Sequence, residues 1–121
     1  MTNLSLLTYL RGLADTLYGA DEISDRIVDS LEDIQEAMDA KYAAYEDRPA
    51  PSGAETLRDL MMEAIKLIHD GVEEFLLFTE DFRDRRLGRG VAMVEEGHDI
   101  LEAVNYAIAQ DSKWTSAASV Q

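Results

Sequence analysis

The 121-residue chain is strongly acidic and contains no cysteine: 25 aspartate and glutamate residues stand against 11 lysine and arginine residues, a formal net charge of −14. The lack of cysteine excludes disulfides, thiolate metal sites and a cysteine nucleophile. The charge disfavours direct binding to nucleic acid or to an anionic membrane, because phosphate contacts need clustered basic residues. Only two prolines and seven glycines, together with many aliphatic residues, favour an all-α fold in one domain.

The first predicted element is a long helix over residues 4–45. Its apolar residues recur at steps of three and four, which places them on one face of a helix. Because this phase continues through Gly12 and Gly19, where a loop would normally reset it, a continuous helix is the preferred prediction. The alternative is a break at residues 18–21, with Asp21 capping a second helix. The stripe consists of Leu6, Leu10, Leu13, Leu17, Ala20, Ser24, Ile27, Leu31, Ile34 and Met38.

The second predicted element is a central helix over residues 53–87, reached through a linker that contains Pro49 and Pro51. Ser52 and Glu55 form a capping-box pattern at its start. Its apolar stripe is wide, which predicts contacts with helices on more than one side. Gly88 is predicted to end it as a left-handed C-cap, with arginines in the last turn complementing the helix dipole.

A third helix is predicted for residues 91–109, followed by a segment without helical period. Residues 112–121 are therefore predicted to be a mobile tail, and residues 1–111 a single helical domain. The predicted first helix is much longer than the third, so part of its stripe would lack cover within the chain. We therefore predict that Leu6, Leu10, Leu13 and Leu17 mediate self-association and complete an elongated bundle as a dimer. With a break at Gly19, a closed four-helix monomer is the alternative.

Carboxylates spaced three and four apart share a face on each of the last two helices, with Glu73 and Glu74 on one and Glu96 and Asp99 on the next. Facing clusters of this kind suit Mg²⁺, which prefers oxygen ligands. The pattern resembles the all-α nucleotide pyrophosphohydrolases of the MazG-like group, except that Leu77 occupies the place of a third glutamate. This resemblance, over roughly 27 residues, implies a Mg²⁺-dependent pyrophosphohydrolase with these four carboxylates as metal ligands.

Basic residues and histidines near these carboxylates suggest two further sites. In the pyrophosphohydrolase hypothesis, four arginines would contact the triphosphate; otherwise they pair with nearby acids. They are Arg83, Arg85, Arg86 and Arg89. Glu95-x-x-His98 is half of the motif of di-iron carboxylate bundles. The other histidine, His69, has Lys66 at the position that needs a glutamate, so we predict no di-iron site.

The favoured hypothesis is a non-enzymatic acidic helical interaction protein: an adaptor, a small chaperone or an inhibitor of a basic partner. It would need no cofactor, and its partners would be a second copy of itself and a basic protein. The alternatives are the Mg²⁺-dependent pyrophosphohydrolase and a salt-adapted structural protein without a ligand, whose acidic surface maintains solubility. Without a signal-peptide pattern or a membrane-length apolar run, the expected location is cytoplasmic.

Overall fold

The computed structural model describes residues 3–48 and 53–110, which form four α-helices and no strand. The helices are α1 (Asn3–Leu17), α2 (Asp25–Asp47), α3 (Glu55–Asp81) and α4 (Arg85–Gln110). The prediction of an all-α fold is confirmed. The predicted tail at 112–121, the two linker prolines and Ser52 lie outside the described residues. Among those described, no helix is both long and apolar enough to cross a membrane.

α3 and α4 form an antiparallel hairpin to which the other two helices are added. Gly71 of α3 meets Gly90 of α4, and Ala64 meets Gly97 further along the pair. α2 packs on α3, and α1 packs on α4. The apolar stripes of all four helices meet in one core cluster. The helix that was predicted to be central, which contains Ala64 and Gly71, corresponds to α3. α4 shares this central position, because α3 and α4 each pack against two other helices.

The preferred prediction of one continuous helix over residues 4–45 is wrong, because residues 18–24 separate α1 from α2. Gly19 adopts a left-handed backbone with φ of 78°, which a residue with a side chain rarely tolerates. α2 is capped by Ser24, whose hydroxyl accepts a hydrogen bond from the Ile27 N–H at 3.4 Å. The alternative break was therefore the better prediction, although Ser24 rather than Asp21 supplies the cap.

The turn between α3 and α4 also lies earlier than predicted, at residues 82–84 rather than 88–90. Phe82 ends α3 in the left-handed region, with φ of 54°, and its N–H donates to the Phe78 carbonyl. Gly88 and Gly90 lie inside α4, so the prediction of Gly88 as a C-cap is wrong. The arginines consequently lie around the start of α4, where positive charge opposes the helix dipole, and the prediction that they complement the dipole of the preceding helix is also wrong.

Candidate functional site

A groove with an apolar floor and a charged rim runs between α2 and α3. It holds two adjoining cavities of about 270 and 290 Å³, both lined by Tyr42 and Lys66. We call it the α2–α3 groove, and its residues are Met38, Asp39, Tyr42, Asp59, Met62, Glu63, Ile65, Lys66, His69 and Asp70. The floor residues continue the core stripes of the two helices, so the groove is a shallow opening onto the core.

The rim of the α2–α3 groove carries four carboxylates, from Asp39, Asp59, Glu63 and Asp70. His69 lies between two of them: its Nε2 is 3.2 Å from Asp39 Oδ1, and its Nδ1 is 3.0 Å from Asp70 Oδ1. Because Asp39 belongs to α2, this contact links the two helices across the groove. Asp59 Oδ1 lies 3.8 Å from Nη2 of Arg58, its neighbour on α3. The groove lining contains four carboxylates against Lys66 and His69, so it is acidic overall.

A second charged cluster lies at the α3–α4 turn, where Glu74 is only 11% exposed. Its carboxylate is 3.1 Å from Arg86 Nη1 and 3.4 Å from Arg89 Nη1. Arg86 Nε also donates to Asp81 Oδ2 at 2.7 Å. These ion pairs offset the unfavourable position of the arginines at the start of α4. The charges of this cluster are thus largely matched within the chain.

The electrostatics of Asp81 and Arg86 follow from this pairing. Partial desolvation acts to raise the pKa of Asp81, but the hydrogen bonds from Arg86 and from the Arg83 backbone outweigh it, so the pKa lies below its ordinary value. The hydrogen bond to Asp81, with the nearby charges of Asp81 and Glu74, raises the pKa of the Arg86 guanidinium against its desolvation. Each partner therefore favours the charged form of the other.

The structure does not gather the four carboxylates predicted as Mg²⁺ ligands. Glu73 accepts a hydrogen bond from Gln35 Nε2 at 2.7 Å, whereas Glu74 pairs with arginines. Glu96 is exposed on α4, and Asp99 lies beside His98. Among the described residues, a single group of three potential metal-ligating side chains lies close enough to hold one ion, and it consists of His98, Asp99 and Glu102. Sequence reasoning missed this group, although a histidine and a glutamate four residues apart are its signature on a helix.

The four arginines predicted to bind an anion are divided among different surroundings. Arg86 and Arg89 pair with Glu74, and Arg83 Nε lies 3.8 Å from Asp81. Arg85 lines a wider cleft of about 890 Å³ between α1 and α4. Asp15 and Asp84 also line this cleft, so its charges are mixed rather than basic. The arginines therefore do not converge on one anion-sized space.

The leucines predicted to mediate self-association are core residues of the single chain. Leu6, Leu10, Leu13 and Leu17 are at most 8% exposed, and they belong to the same cluster as the core of α3 and α4. The unpaired stripe from which we inferred the dimer is thus covered by the four-helix arrangement. Self-association stays a prediction, but the burial of these leucines within one chain removes the argument on which we based it.

The fold and the α2–α3 groove define the class as a small, acidic, all-α protein with an open surface groove. The family model for the C-terminal domain of cyanobacterial DnaJ chaperones matches residues 4–112, a range that includes nearly all of the four helices. The chain belongs to this family of cyanobacterial DnaJ chaperone C-terminal domains. No curated protein and no solved structure matches it. The family assignment supports a chaperone-related role, in agreement with the broad prediction of an interaction protein.

Sequence reasoning also missed the α2–α3 groove, since it placed Met38 on the apolar stripe of the first predicted helix and considered His69 only as a ligand of a di-iron site. A signal was present on α3, where groove residues recur at steps of three and four. They are Asp59, Met62, Lys66 and His69. This second stripe mixes charged and apolar residues beside the core stripe, a pattern typical of a surface that is only partly covered.

Proposed function

We propose that this domain is a non-enzymatic, polypeptide-binding part of a chaperone, and that the α2–α3 groove holds basic segments that also carry apolar side chains. The observation that carries the proposal is the combination of an acidic rim with an apolar floor on one face of the described chain. The family's description as a chaperone domain supports a polypeptide as the ligand class.

The charge of the rim supports a basic ligand. Asp59 and Glu63 are exposed on one face of α3, and Asp39 is exposed on the opposite rim. A basic segment that lies along the groove would meet carboxylates on both sides. The net charge of −14 adds a long-range attraction that speeds the encounter at low ionic strength.

The floor supports a ligand of variable sequence. Met38 and Met62 are flexible, polarisable side chains that adapt to differently shaped apolar groups. Tyr42 lines both cavities and offers an aromatic face to an apolar or a cationic side chain. Two adjoining cavities along one groove suit two side chains of one bound segment, which favours a polypeptide over a small compact ligand.

The test uses a fluorescent peptide that alternates arginine with leucine, and a matched peptide that alternates glutamate with leucine. Binding is measured by fluorescence anisotropy with the 121-residue chain, at low salt and at about 0.15 M salt. We expect the basic peptide to bind, with weaker affinity at the higher salt, and the acidic peptide not to bind. Equal binding of both peptides, or binding of neither, contradicts the proposal.

A charge-reversal pair then locates the binding site. Asp59→Lys with Glu63→Lys changes two exposed rim carboxylates one turn apart on α3, and Glu32→Lys with Glu36→Lys makes the same change on the exposed face of α2 outside the groove. We expect the rim variant to lose about tenfold in affinity, or about 1.4 kcal/mol, and the control to lose much less. Equal losses would mean that net charge alone attracts the peptide and that the groove is not its site.

The same variants test chaperone activity directly. The wild-type chain should slow the aggregation of a basic, chemically unfolded protein in a light-scattering assay, and the rim variant should do so less well than the α2 control. A wild-type chain that binds the peptide but leaves aggregation unchanged would favour the adaptor or inhibitor alternatives over the chaperone.

A further inference from the structure

His98, Asp99 and Glu102 bring three potential metal-ligating atoms together on the surface of α4. His98 Nδ1 is 3.7 Å from Asp99 Oδ1 and 3.8 Å from Glu102 Oε1, and all three atoms lie within 4.8 Å of one another. We propose that these three side chains form a binding site for a divalent transition-metal ion of the zinc class. The proposal does not depend on the α2–α3 groove, which is built from the other two long helices.

The state of His98 supports a ligand at this place independently of the clustering. Its side chain is 10% exposed, so the imidazole is fixed by packing rather than free in solvent. Within the described residues it makes no hydrogen bond, and both carboxylates lie just beyond hydrogen-bonding distance of Nδ1. Packing thus holds His98 Nδ1 beside two carboxylate oxygens without a hydrogen bond to either of them. A neutral imidazole nitrogen in this position is a common metal ligand, and a metal ion between the three side chains would bind all three atoms.

The helix geometry suits a metal ion of this size. Residues four apart lie on the same helix face, which places Glu102 one turn beyond His98. Zinc binds imidazole nitrogen and carboxylate oxygen at about 2.0–2.2 Å, so neighbouring tetrahedral ligands are about 3.4 Å apart. The separations of 3.7 and 3.8 Å from His98 Nδ1, and the separation of at most 4.8 Å between the two carboxylate oxygens, close when the carboxylates rotate. Asp99 and Glu102 are 79% and 66% exposed, so they have the freedom to make those rotations.

The donor set favours a transition metal over Mg²⁺ or Ca²⁺. One imidazole nitrogen with two carboxylate oxygens suits zinc and its neighbours, whereas Mg²⁺ and Ca²⁺ prefer oxygen ligands alone. Three protein ligands leave a position for water or for a group from a bound partner. Glu95, which the di-iron half-motif would use with His98, pairs with Arg11 of α1 and is not part of the group.

The first experiment titrates Zn²⁺ alone into the 121-residue chain, in competition with a chromophoric chelator. We expect one equivalent of Zn²⁺ to bind, and we expect it to raise the thermal unfolding midpoint, because an ion bound to the native state stabilises it. Histidine ring resonances in NMR spectra should report the site: those of His98 should shift on addition of Zn²⁺, whereas those of His69 should not. Failure to compete with the chelator, or shifts confined to His69, would overturn the proposal.

Substitutions of exposed ligands test the site without disturbing the core. Glu102→Gln and Asp99→Asn should each weaken Zn²⁺ binding by at least about tenfold, since even the loss of a residue that only supports a ligand costs 10–100-fold. Glu96→Gln makes the same charge change on an exposed position of α4 outside the group, and it should leave the affinity within about twofold of wild type. Equal effects of all three variants would show only non-specific attraction to an acidic surface and would overturn the proposal.

Discussion

Gly71 of α3 and Gly90 of α4 meet so closely that a Cβ atom placed on either would lie 2.7 Å from the carbonyl oxygen of the other. The Cβ of residue 90 would also lie 2.7 Å from the ring of Phe75, a fully buried residue. The α3–α4 hairpin therefore depends on two residues without side chains, because any Cβ atom would force the helix backbones apart.

Gly90→Ala should destabilise the protein by about 1–3 kcal/mol, because the new methyl group overpacks the helix contact. Gly88→Ala is the matched control two residues earlier in α4, where a Cβ meets nothing within 4 Å. It should stabilise the protein by up to about 1 kcal/mol, because alanine is the better helix former. Urea unfolding followed by circular dichroism measures both; changes of the same sign would contradict the close-contact interpretation.

Phe82 ends α3 with a left-handed backbone, and its ring packs edge-on against Phe78 at a centroid distance of 5.5 Å. Phe82→Gly and Phe82→Ala both remove the ring, but only alanine retains the strain of a Cβ atom in this region. The glycine variant should therefore be more stable than the alanine variant by about 1 kcal/mol. At Glu63, an exposed position inside α3, the same pair of substitutions should give the opposite order.

Asp81→Asn tests the ion pair with Arg86. The pKa of Asp81 is lowered in the folded protein, so the ionised carboxylate stabilises the fold at pH values above its unfolded pKa of about 3.9. This contribution is lost as the pH falls through the folded pKa. The stability difference between wild type and Asp81→Asn should thus be largest above about pH 5 and should shrink at lower pH. A difference that is constant across this range would mean that the charge of Asp81 is not involved.

Leu10→Ala distinguishes a core role from a role in self-association. Leu10 is fully buried within one chain, so its truncation should cost about 2–5 kcal/mol at every protein concentration. Thr8→Ala changes an exposed position of the same helix, and it should stay within about 0.5 kcal/mol of wild type. A wild-type unfolding midpoint that rises with protein concentration, and that loses this rise in Leu10→Ala, would instead support self-association through the leucine stripe.

The break between α1 and α2 shows why hydrophobic spacing alone misled the sequence prediction. Residues 18–24 form a seven-residue connection, and seven residues are close to two turns of helix. The apolar stripe of α2 therefore continues the phase of α1, as if the helix were unbroken. The spacing shows only the relative phase of the apolar residues and not whether the helix between them is continuous. In the structure, the Gly19 N–H of the α1–α2 connection donates to Asp84 Oδ1 of the α3–α4 turn at 2.9 Å. This contact exists only in the folded protein.

The sequence did not predict the position of the α3–α4 turn correctly, for a related reason. The preference for glycine at a helix end is a local effect of about 1 kcal/mol, and it favoured Gly88 over Phe82. In the structure, Gly90 must already be helical to pack against Gly71 and Phe75, and this tertiary contact outweighs the local preference. The residues of the α2–α3 groove and of the His98 group also recur at helical spacing in the sequence, but only the packed helices show which of these residues lie together.

The sequence by itself determined the all-α class, the acidic surface and most of the core residues, because these depend on composition and on the helical repeat along one segment. Only the tertiary structure decided where the helices end, which leucines are covered, and which charged side chains meet. These outcomes depend on how one helix is placed against another. That placement is set by close packing between residues such as Gly71 and Gly90, which lie far apart in the chain.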